Sequence, residues 1–164
     1  MKSRFAKSLS VAGLAFALAA CSSVSLDDPA SGGSGAGGAT GSGVMDPFNP
    51  SSVLATDRSV YFEFDSYSVS DQYRPLVETH ARYLAANPQQ KILIEGNTDA
   101  RGGAEYNLAL GQRRAQAVSN MMTLIGARDT QIETISFGKE KPKALGDTEA
   151  DYAENRRADI VYQR

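Results

Sequence analysis

The chain has 164 residues, 17 basic against 19 acidic, a formal net charge of −2 at pH 7, 41% hydrophobic residues and a single cysteine. A balance this close to neutral, on the acidic side, excludes the basic footprint that nucleic-acid binding needs. One cysteine excludes any disulfide within the chain, so stability must come from packing.

Lys2, Arg4 and Lys7 precede an apolar run from Val11 to Ala20. A positive start, a short apolar stretch and small residues at its end predict a secretory signal over residues 1–20. The run is shorter than the roughly 20 apolar residues that a bilayer core requires, so a membrane-spanning helix is not expected. Leu18-Ala19-Ala20-Cys21 resembles the lipobox of bacterial lipoproteins. That resemblance implies cleavage before Cys21, diacylglyceryl transfer to its sulfur and acylation of the new amino terminus. Each buried methylene of such chains contributes about 0.8 kcal/mol, and two or more chains hold a protein to a membrane without spanning it. Loss of the signal removes three basic residues and leaves a charge of −5.

Residues 21–51 are predicted to be the lipidated N-terminus and a flexible tether. Ser31 to Gly43 reads SGGSGAGGATGSG, which has no apolar periodicity and behaves as a Gly/Ser linker. As a coil, Ser22 to Pro50 spans on the order of 30 Å; fully extended it reaches roughly 100 Å. Gly33 to Gly38 matches G-x-G-x-x-G in form, but no strand precedes it and no helix follows, so it is not a nucleotide site.

Residues 52–164 have the pattern of one domain. A strand is expected at Val60–Phe64. A helix is expected at Asp71–Asn87, where Tyr73, Leu76, Val77, His80 and Leu84 recur at helical spacing. Lys91–Glu95 reads as a strand, and Glu105–Ile125 as a long helix capped by Gly126. A third strand is expected at Gln131–Phe137, a short helix at Thr148–Arg156 and a last strand at Ala158–Tyr162. The order β-α-β-α-β-α-β predicts an α+β fold, with helices packed on one face of a mixed sheet of about four strands. His80, on the apolar side of its helix, is expected to be a packed histidine. Tyr61, Tyr67 and Tyr106 are expected to serve ordinary sheet and helix packing rather than a rim.

Polar chemistry concentrates in two stretches. Glu95-Gly96-Asn97-Thr98-Asp99-Ala100-Arg101-Gly102-Gly103 follows the second strand, and Tyr106 to Ala115 opens the long helix. Polar groups crowded at a strand end, with glycines after them, make a natural loop site. On the helix, Leu108, Gly111, Ala115, Val118, Met122 and Ile125 form one seam, and Leu110, Arg114, Ala117, Met121 and Leu124 flank it. Arg113 is free to face water. Arg114 falls in the apolar row and is expected to be half-buried, which requires a carboxylate or comparable acceptors from the protein or from a ligand. An internal Asp–Arg salt bridge is one outcome. The glycines and polar crowding favour the other, in which Asp99 accepts hydrogen bonds from an ammonium and Arg114 grips a carboxylate of the same zwitterion.

Phe62-Glu63-Phe64-Asp65, EGNTDARGG, YNLALGQRRA, Ser136-Phe137-Gly138-Lys139-Glu140-Lys141-Pro142 and Asn155-Arg156-Arg157, in that order, resemble the peptidoglycan-associated lipoproteins. Their domain belongs to the family named after the C-terminal part of outer-membrane protein A. The resemblance runs from about Val60 to the end of the chain. It implies non-covalent binding of peptidoglycan through the diaminopimelate of its stem peptide, with no cofactor and no catalysis. It implies peptidoglycan-binding roles for Asp99, Arg114, Asp65, Phe64, Arg101 and Leu110. Asn97, Thr98, Asn155 and Arg157 would support the pocket. It further implies an outer-membrane lipid anchor with the domain in the periplasm, and TolB and other Tol-system proteins as partners in envelope integrity and cell division. Ser22, at the second mature position, is not the aspartate that retains many lipoproteins in the inner membrane.

The sequence departs from the family at three places. Asn97 stands where His is frequent, Ala100 where Glu is frequent, and Ser68 where an acidic residue is frequent. The Asp99 and Arg114 roles are untouched by these changes. An enzyme acting on peptidoglycan is disfavoured because one histidine and an acylated cysteine leave no nucleophile–base or zinc set. The carboxylate pairs Glu63 with Asp65 and Glu95 with Asp99 are short-range neighbours. A pure protein–protein adaptor is the other alternative.

Overall fold

A computed structural model describes residues 45–164. The signal segment, Cys21 and residues 22–44 of the tether lie outside the described residues. Met45–Ser51, expected to be the end of the tether, already pack on the domain. The Phe48 ring meets the edge of Tyr162 at 6.5 Å, and the Arg58 guanidinium donates to the Pro47 carbonyl.

The elements in chain order are α1 (Val53–Thr56), β1 (Ser59–Tyr61), α2 (Arg74–Ala86), β2 (Ile92–Asn97), α3 (Ala104–Ile125), β3 (Ile132–Gly138), α4 (Glu149–Asn155) and β4 (Arg157–Tyr162). The sheet order is β1-β4-β2-β3; β4 runs antiparallel to both β1 and β2, and β3 runs parallel to β2. It is the mixed four-stranded sheet expected from sequence. The short helix α1 was not anticipated. The Ser52 hydroxyl caps it by accepting from the Leu54 amide at 3.2 Å.

Period-two alternation sends Ile92, Ile94 and Gly96 of β2, with Ala158 and Ile160 of β4, toward the helices. They meet Val77, Ala81 and Leu84 of α2 and Ala115, Val118 and Met122 of α3, all buried. The other face of the sheet carries Glu95, Asn97, Arg157 and Asp159. There Arg157 Nε and Asn97 Nδ2 both donate to Asp159 Oδ2, at 2.9 and 3.3 Å, and Lys141 pairs with Glu95.

Strand β1 is shorter than the Val60–Phe64 run predicts. The Phe62 amide still donates to the Arg156 carbonyl at 2.8 Å, but Glu63–Ser66 then turns away through Asp65, which adopts φ 54°. The helical seam also needs correction in its first and last turns, because Leu108 and Leu124 are exposed. The reason is where α3 crosses β2. A methyl group on Gly96 would lie 1.9 Å from the Gly111 carbonyl oxygen, and one on Gly111 would lie 2.3 Å from Ser136 Oγ. Backbone rests on backbone at that crossing, which fixes the roll of α3. The buried stripe becomes Asn107, Leu110, Gly111, Arg114, Ala115, Val118, Ser119 and Met122.

Candidate functional site: a charged cleft at the end of the sheet

Because Gly111 is pinned to Gly96, the next turn of α3 puts Arg114 against the end of β2. Its guanidinium is fully buried. Nε donates to the Ser66 carbonyl at 2.8 Å, Nη1 to the Asn97 carbonyl at 2.9 Å and Nη2 to the Glu63 carbonyl at 3.2 Å. The sequence predicts this side chain to be half-buried, with a carboxylate or comparable acceptors. Backbone carbonyls from the segment after β1 and from β2 supply the acceptors instead. A guanidinium has five N–H donors, so two remain unspent. Burial pulls the Arg114 pKa down to about 10, against the opposing pull of Asp99 and Asp65. It stays charged at neutral pH.

Asp99 lies just past β2. The Thr98 amide before it donates to the Gly138 carbonyl at 2.8 Å, which holds the turn to the end of β3. Asp99 Oδ1 accepts from the Arg101 amide at 3.1 Å, closing a local Asx turn. Oδ2 accepts from Arg101 Nη2 at 2.6 Å and faces Arg156 Nη1 at 3.4 Å. Burial alone would raise this carboxyl. The Arg101 hydrogen bonds and charge, helped by Arg156, outweigh it and hold the pKa below the usual value. Among the described ion pairs none joins Asp99 to Arg114. Asp99 is paired internally with Arg101 and Arg156, Arg114 is held by carbonyls with two donors left over, and a cleft stays open beside them.

The Arg101 guanidinium is sandwiched, its central carbon 4.3 Å from the Phe64 ring centre and 4.4 Å from that of Tyr152. It also reaches Glu149 at 3.2 Å. Asn107 Nδ2 donates to the Arg101 carbonyl at 2.8 Å and ties the loop to the first turn of α3. The Tyr106 hydroxyl donates to Asp65 Oδ1, and that bond raises the Tyr106 pKa.

These groups enclose a cleft of about 210 Å³. Phe64, Asp65, Asp99, Arg101, Leu110 and Arg114 all line it, as does Thr98. Asn97 contributes only its carbonyl, through Arg114; its side chain crosses to the other face of the sheet. Asn155 and Arg157 do not line the cleft either. Asn155 Oδ1 accepts from the Lys143 and Ala144 amides at 2.7 and 3.0 Å, and Arg157 Nη2 donates to the Lys141 carbonyl at 3.3 Å. Both hold the 139–147 loop against the sheet, because strand alternation at the start of β4 turns Arg157 away from the helices. Arg156, one residue earlier, points the other way. It donates to the Phe62 carbonyl at 3.1 Å and meets Glu149 at 2.8 Å and Asp99. Sequence reasoning passed over Arg156, although the same alternation places it beside the cleft. Tyr106 and Asn107 were also missed as lining residues.

The proposed carboxylate pairs separate in space. Asp65 faces the cleft while Glu63 lines a neighbouring one, and Glu95 lies on the far sheet face with Lys141 while Asp99 lines the cleft.

The sequence profile of the OmpA family matches residues 61–156. A peptidoglycan-associated lipoprotein of Haemophilus influenzae is 44% identical over 162 residues, covering 97% of this chain and 99% of its own length. The chain belongs to the peptidoglycan-associated lipoproteins, within the OmpA family. A further family member, from Pseudomonas aeruginosa, is 37% identical over 91% of this chain and 94% of its own. The crystal structure of the peptidoglycan-associated lipoprotein from Burkholderia pseudomallei superposes with a TM-score of 0.69 at 61% identity, covering 71% of this chain and 98% of that one. The C-terminal domain of Helicobacter pylori MotB shares the fold at 21% identity, with a TM-score of 0.60 over 65% of this chain and 84% of that one. In this fold the cleft sits where the ends of β1 and β2 meet the first turns of α3.

Proposed function

We propose that this chain is an outer-membrane lipoprotein that binds peptidoglycan non-covalently, through the diaminopimelate of the stem peptide, and performs no catalysis. The observation that carries the reading is the cleft itself. A buried guanidinium with two unspent donors and a carboxylate held ionised line one space, and they are not bonded to each other. The side-chain end of diaminopimelate carries an ammonium and a carboxylate. The carboxylate is read by Arg114 and the ammonium by Asp99 and Asp65, with Leu110 and Phe64 against the aliphatic chain. Both charges of the guest are then matched in a partly desolvated place, where pairing is worth more than at an open surface.

The names of the curated relatives support the association with peptidoglycan. Anchorage at Cys21 is what the lipobox resemblance implies, and placement in the outer membrane, with the domain in the periplasm, is what the family resemblance implies. The exposed rim favours a second, protein-binding use of the same end. Phe64 and Tyr106 are 60% and 52% exposed, and Tyr67 is 50% exposed with the Arg113 guanidinium over it. Exposed aromatics beside a cationic group are what interface anchors look like. TolB, within a Tol system serving envelope integrity and division, is the partner that the family resemblance implies.

Calorimetric titration of the full chain in detergent, with a diaminopimelate-containing stem peptide and its lysine-containing counterpart, tests the reading. Binding of the first and at least about tenfold weaker binding of the second is expected. Equal affinity would remove the carboxylate from recognition and sink the assignment. For the anchor, Cys21→Ser is expected to move the protein to the soluble periplasmic fraction; retention in the membrane would refute it.

A further inference from the structure

A second cleft, of about 290 Å³, backs onto the first. Their linings are contiguous in the chain. Phe62 and Glu63 line the second, and Phe64 and Asp65, the next residues in the chain, line the first. Arg156 touches both, lining the second cleft while its Nη1 faces Asp99 of the first.

The chemistry of the two linings differs. Tyr61 and Tyr73 stand 6.1 Å apart at 44° to each other and give the second cleft aromatic walls. Ser68, Ser70 and Gln72 add hydroxyls and an amide, all exposed. Ser70 precedes the 3-10 turn at Asp71–Tyr73, yet its side chain makes no capping bond. Glu63 and Glu154 bring carboxylates that enter no ion pair among the described residues. The cleft is nevertheless no simple cation trap. Lys143 stands at its rim, donating to the Tyr61 hydroxyl at 2.6 Å, and Glu154 contributes to raising the Lys143 pKa after the larger Tyr61 hydrogen bond. The Arg156 charge is already met by Asp99 and Glu149, so Glu63 and Glu154 against Lys143 leave the lining with a slight acidic excess.

Aromatic faces ringed by hydroxyl, amide and carboxylate acceptors suit a polyhydroxyl ring, whose hydroxyls donate to them. The apolar face of a sugar covers a tyrosine ring, and its hydroxyls meet the polar groups around it. We propose that the Tyr61–Tyr73 cleft is a subsite for an N-acetylated amino sugar of the glycan strand whose stem peptide enters the first cleft. The inference rests on the peptidoglycan reading above. A stem running from the sugar to its third residue spans roughly 10 Å when extended. That covers the step from Glu63 to Asp65, at most roughly 7 Å for residues two apart in the chain. One muropeptide then occupies both clefts, and the two contacts reinforce each other as linked sites do.

The test is calorimetry and amide chemical-shift mapping on the full chain in detergent. The probes are the stem peptide alone, the same stem carrying its disaccharide, neutral di-N-acetylchitobiose and N-acetyl-arginine amide. The disaccharide peptide is expected to bind at least about tenfold tighter than the stem alone. Chitobiose is expected to shift Tyr61, Tyr73 and Gln72 but not Asp99. In Gln72→Ala/Glu154→Gln, two exposed positions outside the first cleft, the disaccharide advantage should vanish while the affinity for the bare stem is kept. Equal binding of stem and disaccharide peptide by the native chain would overturn this inference alone. Shifts at Tyr61 and Tyr73 from the arginine probe and none from chitobiose would overturn it in favour of a basic protein segment. Binding of neither peptide would overturn it together with the reading of the first cleft.

Discussion

The two ends of the sheet each bury a basic side chain, and they treat it in opposite ways. At the cleft end Arg114 keeps its charge, held by backbone carbonyls of Ser66, Asn97 and Glu63. At the other end His80 lies between the Tyr162 hydroxyl, 2.8 Å from Nδ1, and the Asp57 carbonyl, 2.7 Å from Nε2. The carbonyl can only accept, so Nε2 donates, and in the neutral ring Nδ1 accepts the hydrogen bond of the tyrosine hydroxyl. Burial lowers its pKa, and this outweighs the opposing Asp57 hydrogen bond. Nearby, Gln131 Nε2 reaches the Leu84, Asn87 and Gln90 carbonyls at 3.0, 3.0 and 2.9 Å, tying down the end of α2. That end spends its polar groups on itself. The cleft end leaves two guanidinium donors unspent, which is what a binding site requires and a structural knot does not.

The contrast can be broken hardest at the crossing that sets Arg114 in place. Gly96→Ala puts a methyl 1.9 Å from the Gly111 carbonyl oxygen. A loss above about 3 kcal/mol is expected, because backbone rather than a flexible side chain must move. Urea denaturation measures it, and a loss under about 1 kcal/mol would show that the crossing can open freely.

Next is Arg114→Ala, which orphans the carbonyls and deletes the charge. We expect about 3 kcal/mol of destabilisation and no detectable stem-peptide binding. Arg114→Lys, a point donor facing three separated carbonyls, should keep the charge but recover only part of either loss. Full recovery by lysine would mean that charge matters and the fork does not.

Asp99→Asn is expected to cost about 1–3 kcal/mol at pH 7 and to weaken stem-peptide binding by about tenfold or more. The folded-state pKa of Asp99 is depressed, so its contribution is present above the unfolded carboxyl value near 3.9 and fades as pH falls through the folded one. The stability gap between native and variant should therefore be flat from pH 7 to about 5 and close below about 4. A gap that stays constant down to pH 2 would contradict the ionic role.

The smallest effect is expected at the far end. His80→Gln should cost about 1–2 kcal/mol at pH 7.5, without change in stem-peptide affinity. With a lowered folded pKa, the unfolded histidine takes a proton first as pH falls below about 6.5, so the native chain loses stability there and the variant does not. The gap should narrow between pH 6.5 and 5; a widening gap would mean that His80 is charged when folded.

Much of this was legible before any coordinates. Hydrophobic periodicity located α2, α3 and the strands, because burying one face imposes a period that composition records. The stretch EGNTDARGG marked the loop, since Gly, Asn and Asp accumulate where the backbone must turn and polar groups must stay near water. The packing of His80 followed from its apolar helix face, whereas its protonation depends on partners that only the fold supplies. Less accessible were Phe64 and Tyr106 as exposed rim groups, because the exposure of Phe64 depends on Asp65 turning the chain away from β1 and that of Tyr106 on the roll of α3. The opposite fates of Arg156 and Arg157 required knowing which face of β4 the helices cover. Asn155 shows the same limit: a polar residue in a recognisable motif stabilises a loop that only the fold brings to it.

Local sequence determined that this protein has a mixed sheet under amphipathic helices, with Asp99 and Arg114 among its polar loop and helix residues, because each of these is written in spacing or in short-range chemistry. Tertiary structure alone decided that Arg114 is held by carbonyls and not by Asp99, and that a cleft remains between neighbouring segments. The reason is physical: carbonyl acceptors belong to every residue alike and leave no mark in a sequence, and which of them face a guanidinium is set by how closely Gly111 lets α3 lie on β2.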